Sequence, residues 1–356
     1  MARKSVHVVG TGTIGEPLIG LLCRMKDHFG FEEVTFHKRT PMLEDRSKVT
    51  ALLQDGALLA ADPESYEGFH KMGMEPSLTA SEALQRATVV IDCTPVGNQN
   101  KEKLYVPYAR NVKGFLAQGS EFGFGKMYAR GINDGALVPG EDRFVQIVSC
   151  NTHNIAAVIH TLGMDNGADP ENLAEGRFLC MRRANDISQE SSFVPAPQAG
   201  KHEDELFGTH HARDAWHLFK TLGLEFDLYS SAVKVNTQYM HTIWFQLRVR
   251  NAATLEGLHA QIQANRRMAV TYKKSSGTVF SFGRDHGYYG RILNQTVLPI
   301  RSLAVSKGGT QITGFCYTPQ DGNSILSSVA AATWLIHPED YESRLDCLRP
   351  FIFQEV

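Results

Sequence analysis

The tripeptide Ser149-Cys150-Asn151 puts a thiol where an apolar run, Arg143-Phe144-Val145-Gln146-Ile147-Val148, gives way to a segment of helical character near Thr152. A strand followed by a helix is expected, with Cys150 at the junction. A helix N-terminus carries about half a positive charge and several unpaired N–H groups, which favour a thiolate over a thiol. The same N–H groups can hold an oxyanion once the thiolate has added to a carbonyl. Cys150 is therefore a candidate nucleophile, set against the plainer reading of a small buried residue closing a strand.

Three histidines extend this chemistry. His241 opens a strand expected to run through Leu247 and Val249. An imidazole beside a thiol gives an ion pair and shuttles protons, although a satisfied core histidine fits the same pattern. His210 and His211 precede a helix expected from Ala215 to Leu222. Adjacent imidazoles at a helix start could hold an anion or form a surface pair. The six cysteines (Cys23, Cys93, Cys150, Cys180, Cys316, Cys347) show no CxxC spacing, so neither a zinc site nor a disulfide framework is expected.

A second reactant has its own place near the start of the chain. Ser5-Val6-His7-Val8-Val9 reads as a strand, Gly10-Thr11-Gly12-Thr13-Ile14-Gly15 as a G-x-G-x-x-G turn, and the apolar run from Pro17 as a helix. In that context the glycines permit a tight turn and close approach of the backbone to a dinucleotide pyrophosphate. The next strand, Glu33-Val34-Thr35-Phe36, ends at His37-Lys38-Arg39-Thr40-Pro41. An acid here would bind the ribose hydroxyls of NAD, whereas basic residues accommodate the 2'-phosphate of NADP. Lys38, Arg39 and Thr40 therefore favour NADP over NAD, with solvated surface charges as the alternative. Thr88 to Cys93 and Gly114 to Ala117 read as buried parallel strands whose following loops belong on the cofactor side.

At 356 residues the chain exceeds what one hydrophobic core usually serves, so two domains are expected. A net charge of -2 argues against a general nucleic-acid or membrane-surface binder and for a small-molecule partner. No stretch approaches the roughly 18 apolar residues of a membrane helix, and Met1-Ala2-Arg3-Lys4 leads into a strand and not a signal segment, so a cytoplasmic protein is expected.

Taken in order, these motifs resemble the archaeal-type, or type II, glyceraldehyde-3-phosphate dehydrogenases over most of the chain. Val9-Gly10-Thr11-Gly12-Thr13-Ile14-Gly15 is similar to N-G-Y-G-T-I-G, Lys38-Arg39-Thr40-Pro41 to the family's basic turn, and Val89-Val90-Ile91-Asp92-Cys93-Thr94-Pro95 to V-V-D-x-T-P. Gln118-Gly119-Ser120-Glu121 is similar to Q-G-G-E, and Val148-Ser149-Cys150-Asn151-Thr152 matches V-S-C-N-T. Arg182-Arg183-Ala184, Thr209-His210-His211-Ala212-Arg213-Asp214, Met240-His241 and Gln320 resemble R-R-A, S-H-H-x-x-D, M-H and the glutamine of H-Q-E-S.

The resemblance implies covalent hydride chemistry: attack of Cys150 on an aldehyde, assistance by His241 as base, and release of the thioester by inorganic phosphate as an acyl phosphate. It implies that Thr13, Ile14, Ser120, Arg183 and Gln320 touch the cofactor, and that Ser149, Asn151, Thr152, His210 and His211 touch the substrate or phosphate. The fold expected is α/β plus α+β. Residues 1–149 would form a Rossmann domain completed by a C-terminal helical segment, 321–356, and residues 150–320 a catalytic domain on a mainly antiparallel sheet, assembled as a homotetramer.

Several positions depart from the family pattern. Ser120 replaces a glycine, Phe122 a lysine, and Ile243 a second histidine; Pro319 precedes Gln320 where a histidine is usual, and Asp321-Gly322-Asn323 replaces E-S-x. They keep open a related thioester-forming dehydrogenase or acyl-phosphate reductase acting on a different (semi)aldehyde, and a non-catalytic NADP-binding sensor.

Overall fold

The computed structural model describes residues 4–119, 121–185, 193–319 and 321–356. They divide into two compact units. The first comprises Met1–Lys126, Leu137–Ile147 and Ser327–Cys347, and the second Met127–Ala136, Val148–Leu326 and Leu348–Val356.

In the first unit, seven parallel strands make up most of an eight-stranded sheet: β1 (Ser5–Val9), β2 (Glu33–His37), β3 (Leu58–Ala61), β4 (Leu78–Thr79), β5 (Val89–Asp92), β6 (Gly114–Gln118) and β7 (Phe144–Ile147). Their order is β4-β3-β2-β1-β5-β6-β7. This is the doubly wound arrangement, in which the chain runs outward from a central β1 in both directions. Every residue of β1, β5 and β6 is buried, which is why these strands read as unbroken apolar runs and not as alternating ones. The register pairs Val9 with both His37 and Asp92, so three carboxyl ends finish level and present their loops together. Asp92 fixes one of these loops. Its carboxylate accepts from Thr94 N–H (2.8 Å), Asn100 Nδ2 (2.8 Å) and Tyr105 O–H (2.6 Å).

The second unit is built on a mixed sheet: β8 (Leu173–Arg182), β9 (Leu228–Lys234), β10 (Thr242–Val249), β11 (Met268–Thr271), β12 (Thr296–Pro299) and β13 (Gln311–Tyr317), in the order β9-β8-β10-β13-β12-β11. The expectation of a mainly antiparallel sheet holds for β8-β10, β10-β13 and β12-β13, whereas β8-β9 and β11-β12 are parallel. The reason is local. Each parallel pair is joined by a crossover containing a helix, His210–Lys220 in one and Ser276–His286 in the other, and such a return sets strands parallel. β10 alternates, with Ile243, Phe245, Leu247 and Val249 buried against a core that includes Ile155, Phe178, Phe219 and Leu298. The second histidine usual in the related pattern is thus replaced by a core isoleucine.

Candidate active site

In the second unit α1 (Cys150–Val158) begins at the thiol itself, two residues earlier than the sequence suggested. Ser149 is the N-cap: its Oγ accepts from Thr152 N–H at 3.3 Å and lies 2.9 Å from Thr152 Oγ1. The imidazole of His153 lies with Nδ1 3.0 Å from the Ser149 carbonyl oxygen, on which it donates, and burial lowers its pKa to about 4. Cys150 therefore occupies the first helical position, on a cap braced from two sides. Burial pushes the thiols of Cys23, Cys93, Cys180, Cys316 and Cys347 upward, leaving them poor nucleophiles.

The thiol faces a carboxylate. Cys150 Sγ lies 3.8 Å from Asp321 Oδ1, within reach of an S–H···O hydrogen bond. The same oxygen is 3.9 Å from Arg183 Nη2, and both side chains are almost wholly buried. Arg183 also donates from Nη1 to the Tyr239 carbonyl (3.1 Å), and its backbone N–H donates to His241 Nδ1 (3.0 Å). Cys150, Asp321, Arg183 and His241 thus belong to one connected cluster. Thr318 braces it from below: its N–H donates to the His241 carbonyl, its hydroxyl donates to Asn151 Oδ1 (3.0 Å) and accepts from Asn154 Nδ2 (2.8 Å). Asn323 Nδ2 donates to the Cys150 carbonyl at 3.0 Å.

His241 is held neutral. Burial, then the charges of Arg183 and Arg182, push its pKa well below the ordinary value. With a backbone N–H on Nδ1, the neutral ring carries its proton on Nε2 and offers a hydrogen-bond donor there.

His210 and His211 form the first turn of the helix α2 (His210–Lys220), their rings 3.9 Å apart. Ser230 Oγ accepts from Ala212 N–H (3.0 Å) and meets Thr209 Oγ1 (2.6 Å), so it caps the helix in place of its own N-cap side chain. Burial, then Arg182 and Arg213, lowers His210 to about 4. His211 is pushed well below its usual range by burial, then His210, Arg182 and His241, and both its ring nitrogens are buried without a protein hydrogen-bond partner. Burial raises the Asp214 carboxyl to about 6 despite hydrogen bonds from Arg213.

Of the residues the sequence singled out here, Ser149 and Thr152 make the helix cap and Asn151 packs against Thr318, while Arg183 joins the thiol cluster. Ser120 and Gln320 lie outside the described residues. Sequence reasoning passed over Asp321, Thr318 and Asn154 as site residues. The available signal was Asp321 itself, an acid in a short Asp-Gly turn ahead of a helix of small residues.

In the first unit the Gly10–Gly15 turn fits a dinucleotide. A Cβ on Gly15 would collide with the Gly10 carbonyl oxygen, whereas Gly12 faces open space, and a helix (Gly15–Arg24) starts directly behind with Ile14 as its N-cap and Thr13 just before it. That is the cradle a pyrophosphate needs. Lys38, directly after β2, is buried and paired: its Nζ lies 2.6 Å from Asp45 Oδ2, and Lys48 Nζ lies 3.0 Å from Asp45 Oδ1. Burial works to raise the Asp45 pKa, but hydrogen bonds from the two lysines win and hold it low. Arg39 and Thr40 are exposed.

A doubly wound parallel sheet with a glycine-rich turn, and a second unit carrying a cysteine at a helix start beside a buried His–Arg–Asp cluster, go with the class of NAD(P)-dependent oxidoreductases that act on an aldehyde group. No family model matches the chain. It is 24% identical to a glyceraldehyde-3-phosphate dehydrogenase of Methanobrevibacter smithii over 94% of this chain and 95% of that protein. It is 25% identical to glyceraldehyde-3-phosphate dehydrogenase 1 of Methanosarcina barkeri over 80% of this chain and 79% of that protein, and 28% identical to glyceraldehyde-3-phosphate dehydrogenase 2 of Methanosarcina acetivorans over 75% and 74%. The chain is related to the archaeal-type glyceraldehyde-3-phosphate dehydrogenases.

Proposed function

We propose that the chain is a phosphorylating glyceraldehyde-3-phosphate dehydrogenase, converting glyceraldehyde 3-phosphate reversibly to 1,3-bisphosphoglycerate through a thioester on Cys150. The observation that carries this reading is the thiol at the first position of a helix, tied through Asp321 and Arg183 to His241. The Cys150 thiolate adds to the aldehyde carbon, and the resulting oxyanion is held by N–H groups of the α1 N-terminus and by the Nε2–H of His241, which serves as a donor in place of the base role the resemblance implies because its Nδ1 already accepts from Arg183 N–H. When bound, NADP or NAD supplies the hydride acceptor that brings this adduct to the thioester oxidation level. Inorganic phosphate, held by His210 and His211 with Arg182 nearby, then attacks the thioester carbon; the C–S bond breaks and the thiolate is regenerated.

The first unit serves as the cofactor domain, with Gly10, Gly12, Thr13, Ile14 and Gly15 around the pyrophosphate and Lys38, Arg39 and Thr40 at the adenine ribose, favouring NADP. The second unit serves as the catalytic domain, on the sheet reported above. A homotetramer is part of the same reading, supported by the cross-strand pair Trp244 and Phe315, the latter 39% exposed. So is a cytoplasmic location. Purified protein should reduce NADP with glyceraldehyde 3-phosphate in a phosphate-dependent manner, and Cys150→Ser should lower the rate by at least about 10⁴-fold. NADP binding without aldehyde-dependent reduction would point to the sensor reading. Activity confined to another aldehyde in a substrate panel would point to a changed substrate.

A further inference from the structure

We propose that Asp321 gives this enzyme a second, hydrolytic exit from its thioester: its carboxylate acts as general base for a water molecule, releasing the free acid without phosphate. The inference rests on the Cys150 thioester reading. Its starting point is geometric. Asp321 Oδ1 lies 3.8 Å from the sulfur that carries the acyl group and 3.9 Å from the Arg183 guanidinium. A base that activates an attacking water must stand this close to the sulfur, because the carbonyl carbon is bonded to it. The Arg183 guanidinium stands across from this carboxylate, a placement that suits a general base.

The alternative base, His241, has its Nδ1 occupied by the Arg183 N–H, which leaves Asp321 as the acceptor nearest the thiol among the described contacts. The backbone position adds to this. Asp321 sits at φ 52°, in the left-handed region that few non-glycine residues occupy, and such conformations persist only where the surroundings hold them. Gly322 enforces the turn, since a Cβ there would strike the Ile292 carbonyl oxygen.

The step balances without another reactant. Water attacks the thioester carbon as its proton passes to Asp321; the C–O bond forms and the C–S bond breaks. Asp321 then returns the proton to the departing sulfur. The product is a carboxylic acid and the Cys150 thiol, hydrogen-bonded to Asp321 as in the resting site.

The test is NADPH formation from glyceraldehyde 3-phosphate in phosphate-free buffer, followed beyond one turnover, with the acyl product identified by mass spectrometry. Wild-type protein should pass one NADPH per active site and accumulate 3-phosphoglycerate. Asp321→Asn should show the first-turnover burst, with the subsequent rate lower by about 10²-fold. Asp321→Glu, which keeps a carboxylate, should recover part of that rate, and trapping of the acyl-enzyme by mass spectrometry would show that Asp321→Asn still folds and acylates. A wild-type reaction that stops at one equivalent, or an Asp321→Asn variant that hydrolyses as fast as wild type, would overturn the proposal and leave the phosphorylating reaction standing. Absence of any burst in wild type would instead overturn the thioester reading beneath it.

Discussion

The two units handle charge in opposite ways. In the first, Asp45 shares its carboxylate between Lys38 and Lys48 at the margin of the sheet, with 16% of its side chain still in water. In the second, Asp321 and Arg183 face each other across 3.9 Å with 6% and 3% exposed, beside a histidine kept neutral by burial. The first arrangement is the more exchangeable one: Asp45 keeps an edge in water, and an incoming phosphate can replace a carboxylate on a lysine. The second is fixed, because removing either partner leaves an uncompensated buried charge. In the proposed function, a cofactor site that must bind and release differs in this respect from a thiol site that must stay preorganised.

The sharpest way to break that contrast is Arg183→Ala. It takes the guanidinium away from Asp321 and from the Tyr239 carbonyl, and should lower stability by about 3–5 kcal/mol, measured by denaturant unfolding. A loss below about 1 kcal/mol would show that the inner cluster is as exchangeable as the outer one.

Acid should act next. His153 and His210 each fall from an ordinary 6.5 to about 4 in the fold, so the unfolded chain binds more protons between pH 6.5 and 4. Their contribution is complete above pH 6.5 and is lost as pH falls towards 4, by about 3 kcal/mol each at most. Asp214 works in the opposite sense: with its carboxyl raised to about 6, it adds stability as pH falls from 6 towards 4. Thermal unfolding between pH 7 and 4 should therefore show a net fall, because buried His7, lowered to about 3, acts in the same direction as these two histidines and together they outweigh Asp214. His153→Gln should flatten it.

The smallest effect belongs to the outer cluster. Asp45→Asn frees Lys38 and should strengthen NADP binding relative to NAD by about tenfold, about 1.4 kcal/mol, with little change in stability. Nucleotide titration by fluorescence quenching measures it. An unchanged ratio would mean that Lys38 does not reach the 2'-phosphate.

Much of this was legible in the chain because it depends on local order. The strand, glycine turn and helix at Ser5–Arg24 are contiguous, and their chemistry follows from residues that touch through the backbone. The Cys150 helix was likewise readable, since Ser149 and Thr152 cap it within four residues. The parallel pairs in the second sheet were missed because a helical crossover decides strand direction only once both strands are in place. The pairing of Lys38 with Asp45 was not legible, because a basic residue after β2 gives no sign of which acid will meet it in the fold.

The sequence by itself determined that a thiol would stand at a helix start and that a glycine turn would follow the first strand, because both are set by neighbours within a few residues. Only the tertiary structure decided that Asp321, 171 positions from Cys150, would meet its sulfur, and that Arg183 would join both to His241. Those contacts depend on four separated segments being packed out of water together, where burial and charge pairing replace sequence distance as the quantity that matters.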